Sequence, residues 1–446
     1  MQTLQGSKLP NDTIDIDDLL DSNPIGALQW RVVVLCFVLA VVDGFDAQII
    51  AYVAPLIADQ FALSPEAMGR LYSTALIGLM AGALIGSPVA DRIGRKPVIV
   101  LSAALMGVFA LLTATAGSTF ELFLYRFLTG LGLGGVMPTI NILTAEFAPA
   151  RRRALLMTTM FVGFPIGITA GGVAAAVLIN LFGWESVFVL GGVIPLLMVP
   201  LLIVRLPESP RFLAAQADRG AALARIVNRI APRVVATAES RFLTETPEQG
   251  SVGVRALFSD GRTRTTLLLW MVFFANLLTL FAIGGWMPTV LNEAGYPLDR
   301  AILVSAMFAM GGVIGGLLIA LLIDRAGAAR TLAAGFLVAS LTVAMIGQVT
   351  HSAALLLIVL FLSGLAGMGC QFGINALASN SYDTGARATG LGWALAFGRV
   401  GAIIGPIVVG TAIEMALPVS QLFLLGAIPM LIAAGAVFLL GRLKVS

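Results

Sequence analysis

What this chain can fold into is constrained above all by its repeated apolar runs. A helix needs about 20 apolar residues to cross the hydrocarbon of a bilayer. Read on that basis, the sequence holds twelve spans, at 30–54, 67–90, 97–117, 119–145, 154–180, 185–205, 264–291, 299–323, 330–350, 353–381, 386–412 and 418–441. Lipid cannot satisfy backbone polar groups, so each span is expected to be a helix. Only 11% of the residues are charged and 58% are apolar, against about 25% charge in a soluble chain. A chain so poor in charge cannot clothe a water-facing surface, and a bilayer is its natural solvent.

The basic residues orient the spans. Every second loop is rich in arginine, as in "DRIGRK" at 91–96, "ARRR" at 150–153 and the stretch 206–262, while the alternate loops hold little beyond Arg70 and Arg300. Loops rich in arginine and lysine stay cytoplasmic, which puts both termini and the middle stretch on that side of a cell (inner) membrane. The expected organisation is a tail (1–29), a six-helix half (30–205), a middle segment (206–263), a second six-helix half (264–441) and a short tail (442–446). The start, "MQTLQGSKLPNDTIDIDDLLDSNP", is polar and acidic, unlike a cleavable signal peptide with its basic n-region.

Several function classes lose support. Lysine occurs at Lys8, Lys96 and Lys444, and the arginines form no single basic stripe, so a nucleic-acid partner is not expected. Cys36 and Cys370 lie in apolar segments and show no disulfide or metal spacing. His351 stands apart from other ligand-type residues, and neither an HExxH helix nor a nucleophile elbow is present. An enzyme, a cofactor and a metal site are therefore not expected. "GLGLGGVMP" at 130–138 contains GxGxxG, but inside an apolar span with no preceding strand; it reads as helix packing, as do Gly163, Gly167, Gly171 and Gly172.

The two groups of six spans repeat. Asp91 of "ADRIGRK" and Asp324 of "IDRAGAAR" are 324 − 91 = 233 apart; Gly130 and Gly364, and Gly167 and Gly401, are both 234 apart. Parallel repeats with a binding site between them near the midplane are a transporter architecture. The expected fold class is an all-α membrane protein of two pseudo-symmetric six-helix halves.

Against that background four deep charges stand out: Asp43 and Asp46 in "VVDGFDAQ", Arg126 and Arg399. Each costs roughly 2.5–3.5 kcal/mol at a helix centre on insertion scales. Asp43 and Asp46 are three residues apart and share a helix face. Two acids and two bases can simply pair off and lock helices together. The functional reading is that an arginine fork grips a carboxylate through two parallel hydrogen bonds, while an aspartate shielded from water takes up and releases a proton. Arg399, among the glycines of "FGRVGAIIGP", is the favoured anion site, with Arg126 pairing Asp46 or Asp43; the reverse assignment of the two arginines stays open. Phe45, Tyr125, Trp286, Phe372 and Trp393 are candidate walls for an aromatic ligand, and Asn276, Gln371 and Asn375 candidate hydrogen bonders. Asp91, Arg92, Arg95 and Glu146, beside Arg151 to Arg153, are candidate gating charges.

"GSPVADRIGRKPVIV" (86–100) and "PESPRF" (207–212) resemble segments of the major facilitator superfamily. "DGFD", "RFLTGLGLGGVMP" and "ARATGLGWALAFGRVGAIIGP" are similar to strings of its aromatic acid:proton symporter family. The likeness runs over nearly the whole chain. It implies proton-coupled import of an aromatic carboxylate such as benzoate or a hydroxybenzoate, with Asp43, Asp46, Arg126 and Arg399 implicated in transport. Protons and the lipid bilayer are the further partners expected, and a monomer is expected because nothing in the sequence demands more than one copy. An efflux antiporter of the same fold and a non-transporting aromatic-acid sensor are the rival readings. The second-half loop departs from the motif, with Ala329 where an arginine would match.

Overall fold

The structure, a computed structural model, describes residues 13–443 apart from 233, 235, 238, 244–252 and 260. Lys8, Lys444 and the outermost parts of both expected tails lie outside the described residues. The chain begins with a strand, β1 (Thr13–Asp15), and a short helix, α1 (Ile16–Ser22). The first-half spans are α2 (Ala27–Phe61), α3 (Pro65–Ile93), α4 (Arg95–Ala114), α5 (Thr119–Phe147), a broken fifth span of α6 (Arg153–Phe161) and α7 (Gly163–Phe182), and α8 (Glu185–Arg205). A middle segment carries α9 (Pro210–Ala214), α10 (Gly220–Ile230) and β2 (Arg241–Leu243). The second-half spans are α11 (Thr263–Glu293), α12 (Leu298–Ala326), α13 (Ala328–Ile346), α14 (Ala353–Ser379), α15 (Thr384–Glu414) and α16 (Val419–Leu443). Among the described residues twelve helices are long and apolar enough to cross a membrane, which matches the expected count.

Three details differ from the sequence reading. The first span runs past residue 54 to Phe61. The fifth breaks at Val162, because Pro165 has no N–H to give to the carbonyl of Phe161. The fold is also not purely helical, since β1 and β2 pair in parallel with Ile14 opposite Phe242. This pair, with Ile16, Leu19 and Leu20 of α1 packed into the apolar cluster that holds Leu223, Ile226 and Val227 of α10, joins the N-terminal tail to the middle segment.

The duplication is visible in the packing. α2 packs on α7, α3 on α5 and α4 on α8; their counterparts pack likewise, α11 on α15, α12 on α14 and α13 on α16. The chain leaves α3 through Gly94 at φ 110° and leaves α12 through Gly327 at φ 84°, a left-handed backbone that only glycine adopts without strain. The offset here is 327 − 94 = 233, so the counterpart of Arg95 is Ala328 rather than Ala329; both are alanine, and the arginine is absent from the second loop either way.

The halves meet along α2–α11, α3–α15 and α7–α12. The hydrogen bonds that join them cluster at the end opposite the termini. Ser73 Oγ donates to the Ile403 carbonyl at 2.6 Å, Gln48 donates to the Gly284 carbonyl, and the Glu414 carboxylate accepts from Ser64 Oγ and the Glu66 N–H, both at 3.0 Å. Tyr72 meets Trp286 edge-on at 5.4 Å, closing this end with an aromatic pair, and Trp286 Nε1 donates to the Pro406 carbonyl at 2.9 Å.

Candidate functional site

The four deep charges divide into a closed pair and an open one. Arg126 and Asp46 are 1% and 0% exposed. The guanidinium grips the carboxylate with both terminal nitrogens, Nη1 to Oδ1 at 3.1 Å and Nη2 to Oδ2 at 3.2 Å, and reaches the Asp46 carbonyl at 3.4 Å. Its flat face lies 5.5 Å from the Phe188 ring. Such a fork-on-fork pair uses up the carboxylate's two oxygens. Asp43, one turn earlier in α2, is also buried at 3% exposure, yet its Oδ1 has no hydrogen-bond partner. The charges that act on it are those of Asp46 on its own helix and Arg399 across the interface. Arg399, half-buried in α15, forms no ion pair among the described residues. Asp43 and Arg399, on opposite halves, are near enough for their charges to act on one another, but among the described residues they form no ion pair. They sit just inside the seal, for Ile403 is one turn beyond Arg399 and Gln48 lies beyond Asp43 on α2.

Glycines set how closely α2 packs next to the two acids. A Cβ on Gly44 would overlap the Phe164 carbonyl, and one on Gly167 the Val41 carbonyl. α2 and α7 therefore touch backbone to backbone beside the two acids.

The expected aromatic walls mostly lie elsewhere. Phe45 is 6% exposed and packs against Gly171 and Gly191 inside the first half; it is 200° around the helix from Asp43 by the 3.6-residue period, so it points away from the interface. Tyr125 leans on Phe109 of α4 at 6.2 Å, one helical step off the Arg126 direction. Trp286 belongs to the seal. Trp393 shares the outer face of α15 with the exposed Phe397, Val400, Ile404 and Val408, stacked 6.0 Å from Trp270; Phe372 is exposed against Gly316 of α12. Both side chains are exposed, and their contacts in this conformation are with Trp270 and Gly316 of the second half. The amides fit better: Asn276 is fully buried and its Nδ2 donates to Gln371 Oε1 at 2.7 Å, while Asn276 Oδ1 and Asn375 Oδ1 are buried without partners. All three belong to the half that carries Arg399.

The candidate gating charges form a cluster without Arg92, which is exposed and outside it. Arg95 bridges Asp91 at 2.9 Å and Glu146 at 3.6 Å. Glu208, of "PESPRF", caps α4 by accepting from the N–H groups of Arg95 at 2.8 Å and Lys96 at 3.2 Å. Arg151 is drawn away to the Asn23 carbonyl at 2.8 Å. The partners of Arg95 all lie in the first half or the middle segment, so in this conformation the cluster does not bridge the halves.

The model of the Major Facilitator Superfamily matches residues 36–406 and 269–445. The chain belongs to the major facilitator superfamily. It is 37% identical over 436 residues to the gallate transporter of Pseudomonas putida, covering 97% of this chain and 96% of that one. It is 35% identical over 432 residues to the 4-hydroxybenzoate transporter PcaK of Pseudomonas aeruginosa, covering 96% of each. Among solved structures, a bacterial homologue of the human lysosomal transporter Spinster in an inward-facing, occupied conformation superposes with a TM-score of 0.74 at 16% identity, over 94% of this chain and 98% of that one; at that identity the likeness shows the fold alone. The chain is thus an integral multi-pass membrane protein of a transporter superfamily and not an enzyme, and its close relatives carry aromatic acids.

For this member of the superfamily, sequence reasoning missed the seal. Gln48 and Ser73 are isolated polar side chains within apolar spans, and Glu414 is an acid at a span end; the same argument that singled out the aspartates applies to them at lower cost. Glu208 was legible only as part of a motif, because its role depends on the fold bringing the middle segment under α4.

Proposed function

We propose that the protein is a proton-coupled symporter that imports an aromatic carboxylate of the benzoate or hydroxybenzoate type by alternating access between its halves. The observation that supports this reading is the unequal state of the two deep charge pairs: Asp46–Arg126 is closed, while Asp43 has an unpartnered oxygen and Arg399 forms no ion pair among the described residues. The substrate carboxylate docks on Arg399. Asp43 is the coupling group, and Asp46 with Arg126 holds α2 and α5 in place. A protonated Asp43 no longer competes for Arg399, so proton and anion bind cooperatively. A monoanion moving with one proton carries no net charge and is driven by the pH gradient rather than by the membrane potential, which acts at about 2.3 kcal/mol per charge per 100 mV.

Asn276, Gln371 and Asn375 orient the ring, the orphan amide oxygens accepting from a ring hydroxyl. The 4-hydroxybenzoate and gallate relatives favour such ring-hydroxylated acids. In a cell membrane with the arginine-rich loops and both termini cytoplasmic, the seal is periplasmic and this conformation faces inward. The Asp91–Arg95–Glu146 cluster is the candidate latch for the opposite state, and one copy suffices.

The test is uptake into proteoliposomes under an inward-directed proton gradient, with a panel of benzoates. Accumulation of a hydroxybenzoate above its outside concentration supports import. Efflux under the same gradient would make the protein an antiporter, and ligand-dependent thermal stabilisation without any flux would make it a sensor.

A further inference from the structure

A groove of about 610 Å³ lies at the end that bears the termini, away from the substrate site. Its floor is formed by terminal turns of three spans, with Leu28 from α2, Val100 from α4 and Ile203 and Val204 from α8; its other wall is α10. Val204 and Ile203 are 75% and 52% exposed, and a span end that apolar and that exposed faces acyl chains. The α10 wall is fixed in place. Leu223, Ile226, Val227 and Ile230 are buried, and the Asn228 amide both donates to and accepts from the Ala236 backbone, at 3.0 and 2.9 Å.

Four cations line this groove: Lys96, Arg219, Arg225 and Arg229. Arg225 and Arg229 are one turn apart on α10, and Lys96 is held at the end of α8 by its Nζ donating to the Ile203 carbonyl at 2.6 Å. Among the described residues none of the four is in an ion pair. The acid that lines the groove, Glu208, forms no ion pair with the four: its Oε1 accepts from the backbone N–H groups of Arg95, Lys96 and Ser209. Among the described residues the groove therefore offers four cations against one carboxylate, a net positive charge beside exposed apolar surface, at the depth where the spans end.

We infer that this groove is a binding site for an anionic phospholipid, its phosphate among Lys96, Arg219, Arg225 and Arg229 and an acyl chain along Ile203 and Val204. A free phosphate would use the cations but leave the apolar wall bare. A zwitterionic lipid would use the wall but gain little from the cations. An anionic lipid uses both, and it ties α4, α8 and α10 together on the first half.

The test is lipid titration of the detergent-purified full chain by native mass spectrometry, using dioleoylphosphatidylglycerol, dioleoylphosphatidylcholine and inorganic phosphate. A basic residue beside an anionic headgroup is worth about fivefold in affinity, so R225Q/R229Q should weaken phosphatidylglycerol binding by roughly thirtyfold. The control R152Q/R264Q, which removes two exposed arginines elsewhere at the same end, should change it by less than about threefold. Equal affinity of the unaltered protein for the two lipids overturns the proposal outright. So does an unchanged phosphatidylglycerol affinity in R225Q/R229Q, an equal loss in the control, or displacement of the lipid by phosphate at matching concentration.

Discussion

Asp46→Ala is the sharpest test of the division between the closed and open charge pairs. Arg126 is 1% exposed and has Asp46 as its ion-pair partner, with hydrogen bonds of 3.1 and 3.2 Å to the carboxylate and one of 3.4 Å to the backbone carbonyl. Truncating Asp46 leaves the guanidinium buried with only that carbonyl and the Phe188 ring. Removing one member of a buried pair costs about 3–5 kcal/mol, whereas replacing both by apolar groups is often close to neutral. At about 2 °C per kcal/mol, Asp46→Ala should lower the apparent melting midpoint by roughly 6–10 °C, and Arg126→Leu added to it should recover most of the loss. Asp43→Ala removes a buried carboxyl group with an unpartnered oxygen, so it should cost little or even stabilise. The assay is thermal unfolding of the purified variants without substrate. A midpoint for Asp46→Ala within about 1 °C of the parent, or a larger drop for Asp43→Ala than for Asp46→Ala, would refute the assignment.

Further outcomes follow from the same geometry. Arg399→Gln should weaken substrate binding by about ten- to a hundredfold, the worth of a charge-assisted hydrogen bond, measured by calorimetric titration with 4-hydroxybenzoate; unchanged affinity would move the anion site to Arg126. Gly44→Ala should lose folded yield or several degrees of melting temperature, since overpacking costs about 1–3 kcal/mol and the new methyl group meets the Phe164 carbonyl, whereas Gly392→Ala, with open space around it, should be neutral or mildly stabilising. Trp393→Leu should leave substrate affinity unaltered, because that ring stacks on Trp270 on the outside of α15; a tenfold loss would return it to the site. The Arg211–Asp17 bridge at 2.7 Å, partly exposed, should contribute no more than about 1 kcal/mol when both residues are replaced in a double-mutant cycle.

Where the sequence was informative, a single physical cost acted at a single residue. Hydrocarbon does not tolerate backbone outside helices, so span number followed from apolar length alone. A buried charge is expensive, so Asp43, Asp46, Arg126 and Arg399 could be picked out one by one. Which charges pair was beyond reach: Asp43 and Asp46 share a face, and only the approach of α5 to α2 gives Arg126 to Asp46. Aromatic residues carry no comparable penalty in lipid, so Phe45, Phe372 and Trp393 are each acceptable as packing, as exterior or as ligand wall, and the sequence does not choose among these. The seal and the Glu208 cap depend on contacts between residues more than a hundred positions apart, for which the sequence holds no period or spacing.

The central claim is that Asp43 carries the proton while Arg399 holds the anion. It is tested most directly with Asp43→Asn in proteoliposomes loaded with labelled 4-hydroxybenzoate. The account predicts that this variant still exchanges internal for external substrate but fails to concentrate it when the outside is made acidic. Concentration equal to that of the unaltered protein under the same gradient would contradict it.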